Sequence, residues 1–474
     1  MSLILADTAN AAPEPLATTG APEHPEAAKE DGANAVDAVP PAGLLLPFAI
    51  QHVLVMYAGA VAVPLVVGRA MHLSIEHLAV LISADLVAAG LATLIQTLGL
   101  PGIGIRLPIM MGVTFASVSP LLALIEAAGP APGAAMGLLP TIYGAVIVSG
   151  IFGFLIAPFV GRLTRFFPPT VTGTVILIIG LSLMRIAIDW AAGGQPSQPG
   201  YGAPLHLGIA FATLLIILGF MKYGRGLVRN GAVLLGVIAG AVLATALGET
   251  DFAPVASAPW FALVTPFQFG MPRFDMPISL AMCFVMIVTM IESFGMFLAA
   301  GTLVGRPATT TDLARGLRAD ALGTVIGGVF NTFPYTSYAQ NIGLLSITGV
   351  RSRYVCAVGG VVLMMLGLCP KLAALVAALP VYVLGGAGFM MFGMIAATGI
   401  RILSSVELTQ GRIATIAVSV AMGLIPVLSD KFFQAMPAAL TPLLHSGIVL
   451  SSTTAILASL FFESQAEEAG EIHI

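Results

Sequence analysis

Apolar runs separated by short polar joints set the pattern of this chain from residue 43 to residue 462. The first two runs cover 43–67 and 76–98. The third, 108–126, is short and broken by Pro108, Gly112 and Pro120. The fourth is 138–159, and the fifth to seventh fall at 170–190, 206–221 and 231–248. The eighth covers 277–302 and the ninth 318–331. The tenth, 335–349, is again short and broken, and the last four are 354–378, 380–401, 411–428 and 438–462. About 20 apolar residues cross a bilayer as a helix, so the pattern predicts an all-α polytopic membrane protein with fourteen transmembrane segments.

One stretch departs from the apolar rule without adding charge. Residues 331–350 hold Asn331, Thr332, Tyr335, Thr336, Ser337, Tyr338, Gln340, Asn341, Ser346 and Thr348, with Pro334 and Gly343 among them. Lipid satisfies none of these groups, so they must face protein, water or a ligand. Polar, interrupted segments at membrane depth point to a transporter's binding site.

The joints carry a second pattern. Arg106, Arg162, Arg165, Lys222, Arg225, Arg229, Arg306, Arg315, Arg318, Arg351, Arg353, Arg401 and Arg412 follow even-numbered runs. Only Arg69, Arg185, Arg273, Lys371 and Lys431 fall on the other side. The excess of basic residues marks the cytoplasmic face, which places both termini in the cytoplasm and supports an even count. Fourteen divides as seven plus seven, and an odd-numbered repeat must invert in the membrane. The broken third and tenth segments then hold corresponding positions, as in inverted-repeat transporters.

Composition narrows the class. Hydrophobic residues make up 58% and charged residues 9%, with mean hydropathy +0.99, against about 25% charge in soluble proteins. A net charge of -4 gives no footing for nucleic acid. Cys283, Cys356 and Cys369 lie in apolar runs and read as packing residues. No metal-spaced His, Cys or acidic set and no nucleophile–base pair stands out, so an enzyme is not expected, nor a bound cofactor. Residues 1–41 hold seven acidic residues and a single basic one, Lys29. They lack the basic and apolar regions of a signal peptide, and a disordered cytoplasmic tail is expected. A short tail is likewise expected at 463–474.

Ionisable groups inside the runs are functional candidates. Glu292 is the sole charged residue between Pro277 and Gly301. It could exchange a proton or accept hydrogen bonds from an N–H-rich ligand, or tie helices together. Asp85, and Asp320 at the expected start of the ninth run, read first as structural residues. His52 beside Gln51 reads as a proton relay or a core prop, and His445 as structural. Gln340 and Asn341 offer amides that pair with adjacent N–H and C=O groups on a ligand.

Gln340-Asn341-Ile342-Gly343, four residues, then Thr348 and Gly349 resembles the signature of the nucleobase–ascorbate transporter family, or nucleobase:cation symporter-2. Gln51-His52, Met111-Gly112-Val113-Thr114-Phe115-Ala116, Glu292-Ser293-Phe294-Gly295 and Asn331 to Pro334 resemble further family motifs, and the resemblance spans 43–462. It implies a 7+7 inverted repeat with a core domain (43–159 and 277–378) and a gate domain (170–248 and 380–462). It also implies short extended strands in segments three and ten. Carried over, Glu292 and Gln340 hydrogen-bond a base, backbone near Phe115 and Ala339 completes the contacts, and the Phe115 ring lies against it. Asn341 belongs to the same binding motif. His52, Asp320, Gly343 and Thr348 support the site or the coupling.

Gln rather than Glu at 340 resembles the xanthine and uric acid branch. Met296 stands where uracil-type members carry histidine and other purine transporters an aspartate. The resemblance implies proton-coupled uptake of an oxidised purine by an elevator-like movement, with sodium as the other possible ion. It also implies a homodimer in a bacterial inner membrane. The alternatives are a symporter for uracil or another nucleobase, or an anion carrier of the same fold. The dozen residues after 462 speak against the large C-terminal domain usual in such anion carriers.

Overall fold

The computed structural model describes residues 35–127, 134–159, 168–194, 196, 200–429, 431–437 and 440–470. The first half contains helices α1 (Ala42–Ala70), α2 (Ile75–Leu98), α3 (Val118–Ala127), α4 (Ala134–Ile156), α5 (Pro169–Ala191), α6 (Pro204–Tyr223) and α7 (Ala232–Ala246), with strand β1 (Met111–Val113) ahead of α3. The second half contains α8 (Met276–Val304), α9 (Thr310–Val329), strand β2 (Tyr335–Ser337), α10 (Ala339–Thr348), α11 (Arg353–Gly367), α12 (Pro370–Ala377), α13 (Val381–Leu403), α14 (Gln410–Leu428) and α15 (Gly447–Gly470). Short single-turn helices connect some of these.

Eight helices (α1, α2, α4, α5, α6, α8, α13 and α14) are long and apolar enough to cross a membrane among the described residues. The pair α11 and α12, bent by 78°, makes a ninth if taken as one span. Several of the fourteen expected segments fall outside this measure for physical reasons. The helices α3 and α10 have 10 residues each, so each rises about 15 Å, half a hydrocarbon core. Helix α9 carries Asp312, Arg315, Arg318 and Asp320 on 20 residues.

The two halves pack in a matched way. Helix α2 crosses α11 and α4 crosses α9. These are the second and fourth helices of each half, so exchanging the halves turns one crossing into the other, as an inverted repeat requires. Small residues sit at both crossings. A Cβ on Gly90 would come 2.4 Å from the Gly360 carbonyl oxygen, and one on Gly150 would come 2.7 Å from the Val325 side chain. Without a hydrophobic drive between helices in lipid, such close approach supplies the packing. Helix α5 packs along α13, with Gly180 against Ala396.

The two broken segments meet. Strands β1 and β2 pair antiparallel with Met111 opposite Ser337, Gly112 opposite Thr336 and Val113 opposite Tyr335. Flanking bonds run from Thr114 N to Pro334 O (2.8 Å) and from Tyr338 N to Met110 O (3.0 Å). Each half-segment thereby satisfies the backbone of the other, which is what permits non-helical chain at this depth. Asn331, at φ 66°, turns the chain out of α9, a left-handed conformation that asparagine tolerates. Gly112 has to be glycine, because the Tyr338 ring occupies the space of its side chain, 2.4 Å from a built Cβ.

Four expectations are corrected. Helix α9 starts at Thr310 rather than 318, because Thr309 and Asp312 form a reciprocal capping box. Asp320 is therefore mid-helix and fully buried, not a residue at a helix end. The end of the presumed tail is held in place. Val36 is buried, Asp37 Oδ1 accepts from Arg353 Nε at 2.5 Å, and Ser352 Oγ donates to the Ala38 carbonyl at 2.6 Å. Helix α15 continues past 462 to Gly470. Residues 1–34 and 471–474 of the two presumed tails, and Arg162 and Arg165, lie outside the described residues.

Candidate functional site

Glu292 lies past the middle of α8, and α8 runs beside β2. Ser293 Oγ is 3.0 Å from Thr336 Oγ1 and accepts from Ser337 N at 3.2 Å. These bonds fix the rotation of α8 relative to the strand pair. Glu292 then faces a cavity of about 330 Å³, also lined by Phe115, Tyr338, Ala339, Gln340 and Gly343. Ala339 and Gly343 come from one face of α10, four residues apart. The far wall is Ile176 and Ile179 of α5 with Met394, Thr398 and Arg401 of α13. A second cavity of about 860 Å³ shares Glu292, Met296, Ala339, Gly343, Thr398 and Arg401 and extends along α8 to Thr302 and along α13 to Ser405. The Phe115 ring meets Phe392 of α13 edge-on, with centroids 5.9 Å apart and planes at 79°.

Asn341 turns the other way. Successive helical residues point about 100° apart, so Gln340 meets the cavity while the Asn341 amide reaches α1. Its Nδ2 lies 3.0 Å from His52 Nδ1 and donates to the His52 carbonyl at 3.1 Å. The geometry assigns Nδ1 of His52 as the acceptor and leaves the proton on Nε2. Both side chains are buried behind the site, so Asn341, expected among ligand contacts, stands one layer back.

Asp320 also lies behind the strands. Its Oδ1 accepts from Gln96 Nε2 at 2.8 Å, and Gln96 Oε1 accepts from Ile105 N at 3.0 Å. Ser293, Ser337 and Glu292 neighbour the Asp320 carboxyl. Asp85 holds the start of β2, accepting from Thr332 Oγ1 at 3.0 Å and Tyr335 Oη at 2.8 Å. Thr348 bonds back to the Leu344 carbonyl in the last turn of α10 and is not at the cavity. His445 precedes α15 and lines a separate cavity with Arg69 and Arg185.

The contribution of α5 and α13 was not singled out from sequence. Ile176, Ile179 and Met394 carry no local mark, and Arg401 registered only as a joint charge. Among the described residues no group of three or more His, Cys, Asp or Glu could hold a metal ion.

The chain is similar in sequence and in fold to known proteins. The Xan_ur_permease model, described as a permease family, matches residues 43–432. The uric acid transporter UacT of Escherichia coli (strain K12) is 49% identical over 437 residues, covering 92% of this chain and 89% of that protein. The xanthine permease of Bacillus subtilis (strain 168) is 41% identical over 421 residues, covering 89% and 94%. In fold, the transmembrane domain of the cyanobacterial bicarbonate transporter BicA superposes with TM-score 0.57 at 16% identity, covering 90% of this chain and 99% of that one. With 390 of 474 residues inside the family match, the chain belongs to this permease family, the nucleobase–ascorbate transporters.

Proposed function

We propose that the protein takes up an oxidised purine nucleobase, xanthine or uric acid or both, in symport with a proton. One observation carries this reading. Glu292 and Gln340, from separate segments, line a single cavity with the Phe115 ring beside it. An oxopurine presents neighbouring N–H and C=O groups on a flat ring. A carboxylate accepts from the N–H groups, and a primary amide pairs with an N–H and a C=O together. The aromatic ring offers a face or edge to the heterocycle. The relatives' names favour the same substrates.

In the proposed cycle, a proton on Glu292 and the base occupy the cavity together. Neutralising the carboxyl removes the penalty of carrying its charge through a low-dielectric region. The fourteen segments then act as two bodies. A core of 43–159 and 277–378 holds Glu292, the strand pair and α10. A gate of 170–248 and 380–462 holds α5 and α13. An elevator-like shift of core against gate would move the site across the membrane. That the cavity lies between α8, β2 and α10 on one side and α5 and α13 on the other supports this division. Protons rather than sodium as the coupling ion, both termini in the cytoplasm, an inner-membrane location and a homodimer complete the proposal. The charge pattern of the joints supports the orientation.

The test is uptake of radiolabelled xanthine, uric acid and uracil into proteoliposomes, with and without an imposed proton gradient, for the intact protein and for Glu292→Gln. The expected result is gradient-driven purine uptake that Glu292→Gln abolishes or uncouples from the gradient. Uracil as the preferred substrate would overturn the assignment of Gln340. Purine uptake that ignores the gradient and Glu292→Gln alike would overturn proton symport.

A further inference from the structure

Among the described residues lining the two cavities that share Glu292, the charged side chains are Glu292 and Arg401 alone. They come from opposite walls, Glu292 from α8 and Arg401 from the last turn of α13. The rest of the lining is apolar or carries uncharged hydroxyls and the Gln340 amide. Arg401 is exposed and lines both cavities. Its carbonyl accepts from Ser404 Oγ, but among the described residues no hydrogen bond or ion pair engages its guanidinium. The simple account of Arg401 is a joint arginine that sets membrane orientation. Arg306, just past the end of α8, and Arg412, in the first turn of α14, line neither of these cavities.

A guanidinium facing an apolar cavity is suited to an anion, with planar donors that match a delocalised oxyanion on a flat ring. Glu292 and Gln340 read the hydrogen-bonding edge of a base, and neither favours negative charge on the ligand. A ligand filling the space between the walls would present one edge to Glu292 and Gln340 and another toward Arg401.

We propose that Arg401 is a specificity-determining residue that selects the anionic form of an oxopurine, such as the urate monoanion, over bases that stay neutral. This rests on the purine reading of the cavity. A neutral base would satisfy Glu292 and Gln340 but leave Arg401 without a partner. An anion lying against the Glu292 wall alone would be repelled by an ionised carboxylate. Glu292 is the other titrating group with a charge in the cavity, so its own protonation has to be separated from that of the ligand. Tyr338, the remaining titratable lining residue, belongs to the strand end and donates to the Val113 carbonyl at 3.3 Å.

The experiment is equilibrium binding of radiolabelled uric acid to the purified full-length protein at a series of pH values on either side of the first acid dissociation of uric acid. Competition by unlabelled hypoxanthine, neutral over the same range, is measured alongside. The proteins are the unsubstituted chain, Arg401→Gln and Arg401→Lys. Arg401→Gln is expected to weaken urate binding above that dissociation about tenfold, the scale of a lost hydrogen bond to a charged group. It should leave hypoxanthine competition within about twofold, and Arg401→Lys, which keeps the charge but not the planar donors, should restore only part of the urate affinity. Equal weakening of both ligands would mean a structural role, and unchanged binding of both would mean a joint charge only; either overturns the proposal. Failure of the purine reading has a different signature, because the unsubstituted protein would then bind neither base, and this inference would fall with it.

Discussion

Asp85 and Asp320 hold the same place in corresponding helices of the two halves. Asp85 lies ten residues after Ile75, the first residue of α2, and Asp320 ten residues after Thr310, the first residue of α9. Each helix opens on a hydroxyl cap, Ser74 or Thr309. Both carboxyls are fully buried and brace the strand crossing, but with different partners. Asp85 takes two hydroxyls, from Thr332 and Tyr335, whereas Asp320 takes the Gln96 amide. The repeat has kept the acid and changed what it holds.

Asp85→Ala leaves the Thr332 hydroxyl buried without that acceptor, while the Tyr335 hydroxyl keeps the residue 85 backbone carbonyl, now at 2.9 Å. The expected loss is about 1–3 kcal/mol for the orphaned Thr332 hydroxyl, seen as a lower unfolding temperature of the detergent-purified protein. Asp85→Asn keeps an acceptor oxygen and should lose less. Equal unfolding temperatures for Asp85→Ala and the parent would show that the carboxyl does not hold β2.

Gly112→Ala places a methyl group where the Tyr338 ring now sits. Tyr338 is buried and bonded to the Val113 carbonyl, so the ring has little freedom to withdraw. Overpacking of this kind costs about 1–3 kcal/mol, and it acts on the strand pair that frames the cavity. Purine uptake should fall in Gly112→Ala and partly return in the double variant Gly112→Ala with Tyr338→Phe, whose freed ring can shift. Full uptake in Gly112→Ala would refute the close approach.

The Phe115 and Phe392 rings join the segment after β1 to α13, across the boundary between proposed core and gate. Edge-to-face pairs contribute about 0.5–1.5 kcal/mol beyond their area. A double-mutant cycle on Phe115→Leu and Phe392→Leu, read by thermal stability, should give a coupling of about that size. If the rings also part during transport, the two single variants should alter uptake rate more than binding affinity. Additive effects on stability would remove the contact from the account.

The Asn341–His52 pair tests the layer behind the site. Asn341→Asp replaces a donor to His52 Nδ1 with an acceptor, so the imidazole must move its proton from Nε2 to Nδ1, take up a second proton, or lose the bond. Uptake should fall and acquire a pH dependence that the parent lacks, because a carboxylate beside the imidazole favours its protonated form. His52→Gln should lower uptake without that pH dependence. A pH profile for Asn341→Asp parallel to that of the parent would show that the pair is not coupled in this way.

The apolar runs by themselves determined the membrane class and the main helices. Spans such as α1, α2, α5, α8 and α13 each exceed the bilayer length with few charges, which needs no tertiary information. The two broken segments were legible for the same reason, since Pro108, Gly112 and Pro334 interrupt runs that lipid would otherwise make continuous. Glu292, Gln340 and Phe115 stood out as polar or motif residues in apolar surroundings, and the fold brings all three to one cavity. What sequence could not decide was direction around a helix axis and partnership across the bundle. Asn341 follows Gln340 in the signature, yet one helical step turns it from the cavity to His52, 289 positions away in the chain. Asp320 looked terminal because the charges of α9 mask its first two turns, and only burial against Gln96 shows it as interior. Arg401 is indistinguishable from any joint arginine until α13 packs along α5 and its last turn comes to line the same cavities as Glu292. Local periodicity sets which residues leave water. Which of them meet depends on long-range packing, and in lipid that packing is chosen by small-residue contacts and polar pairings that no single run contains.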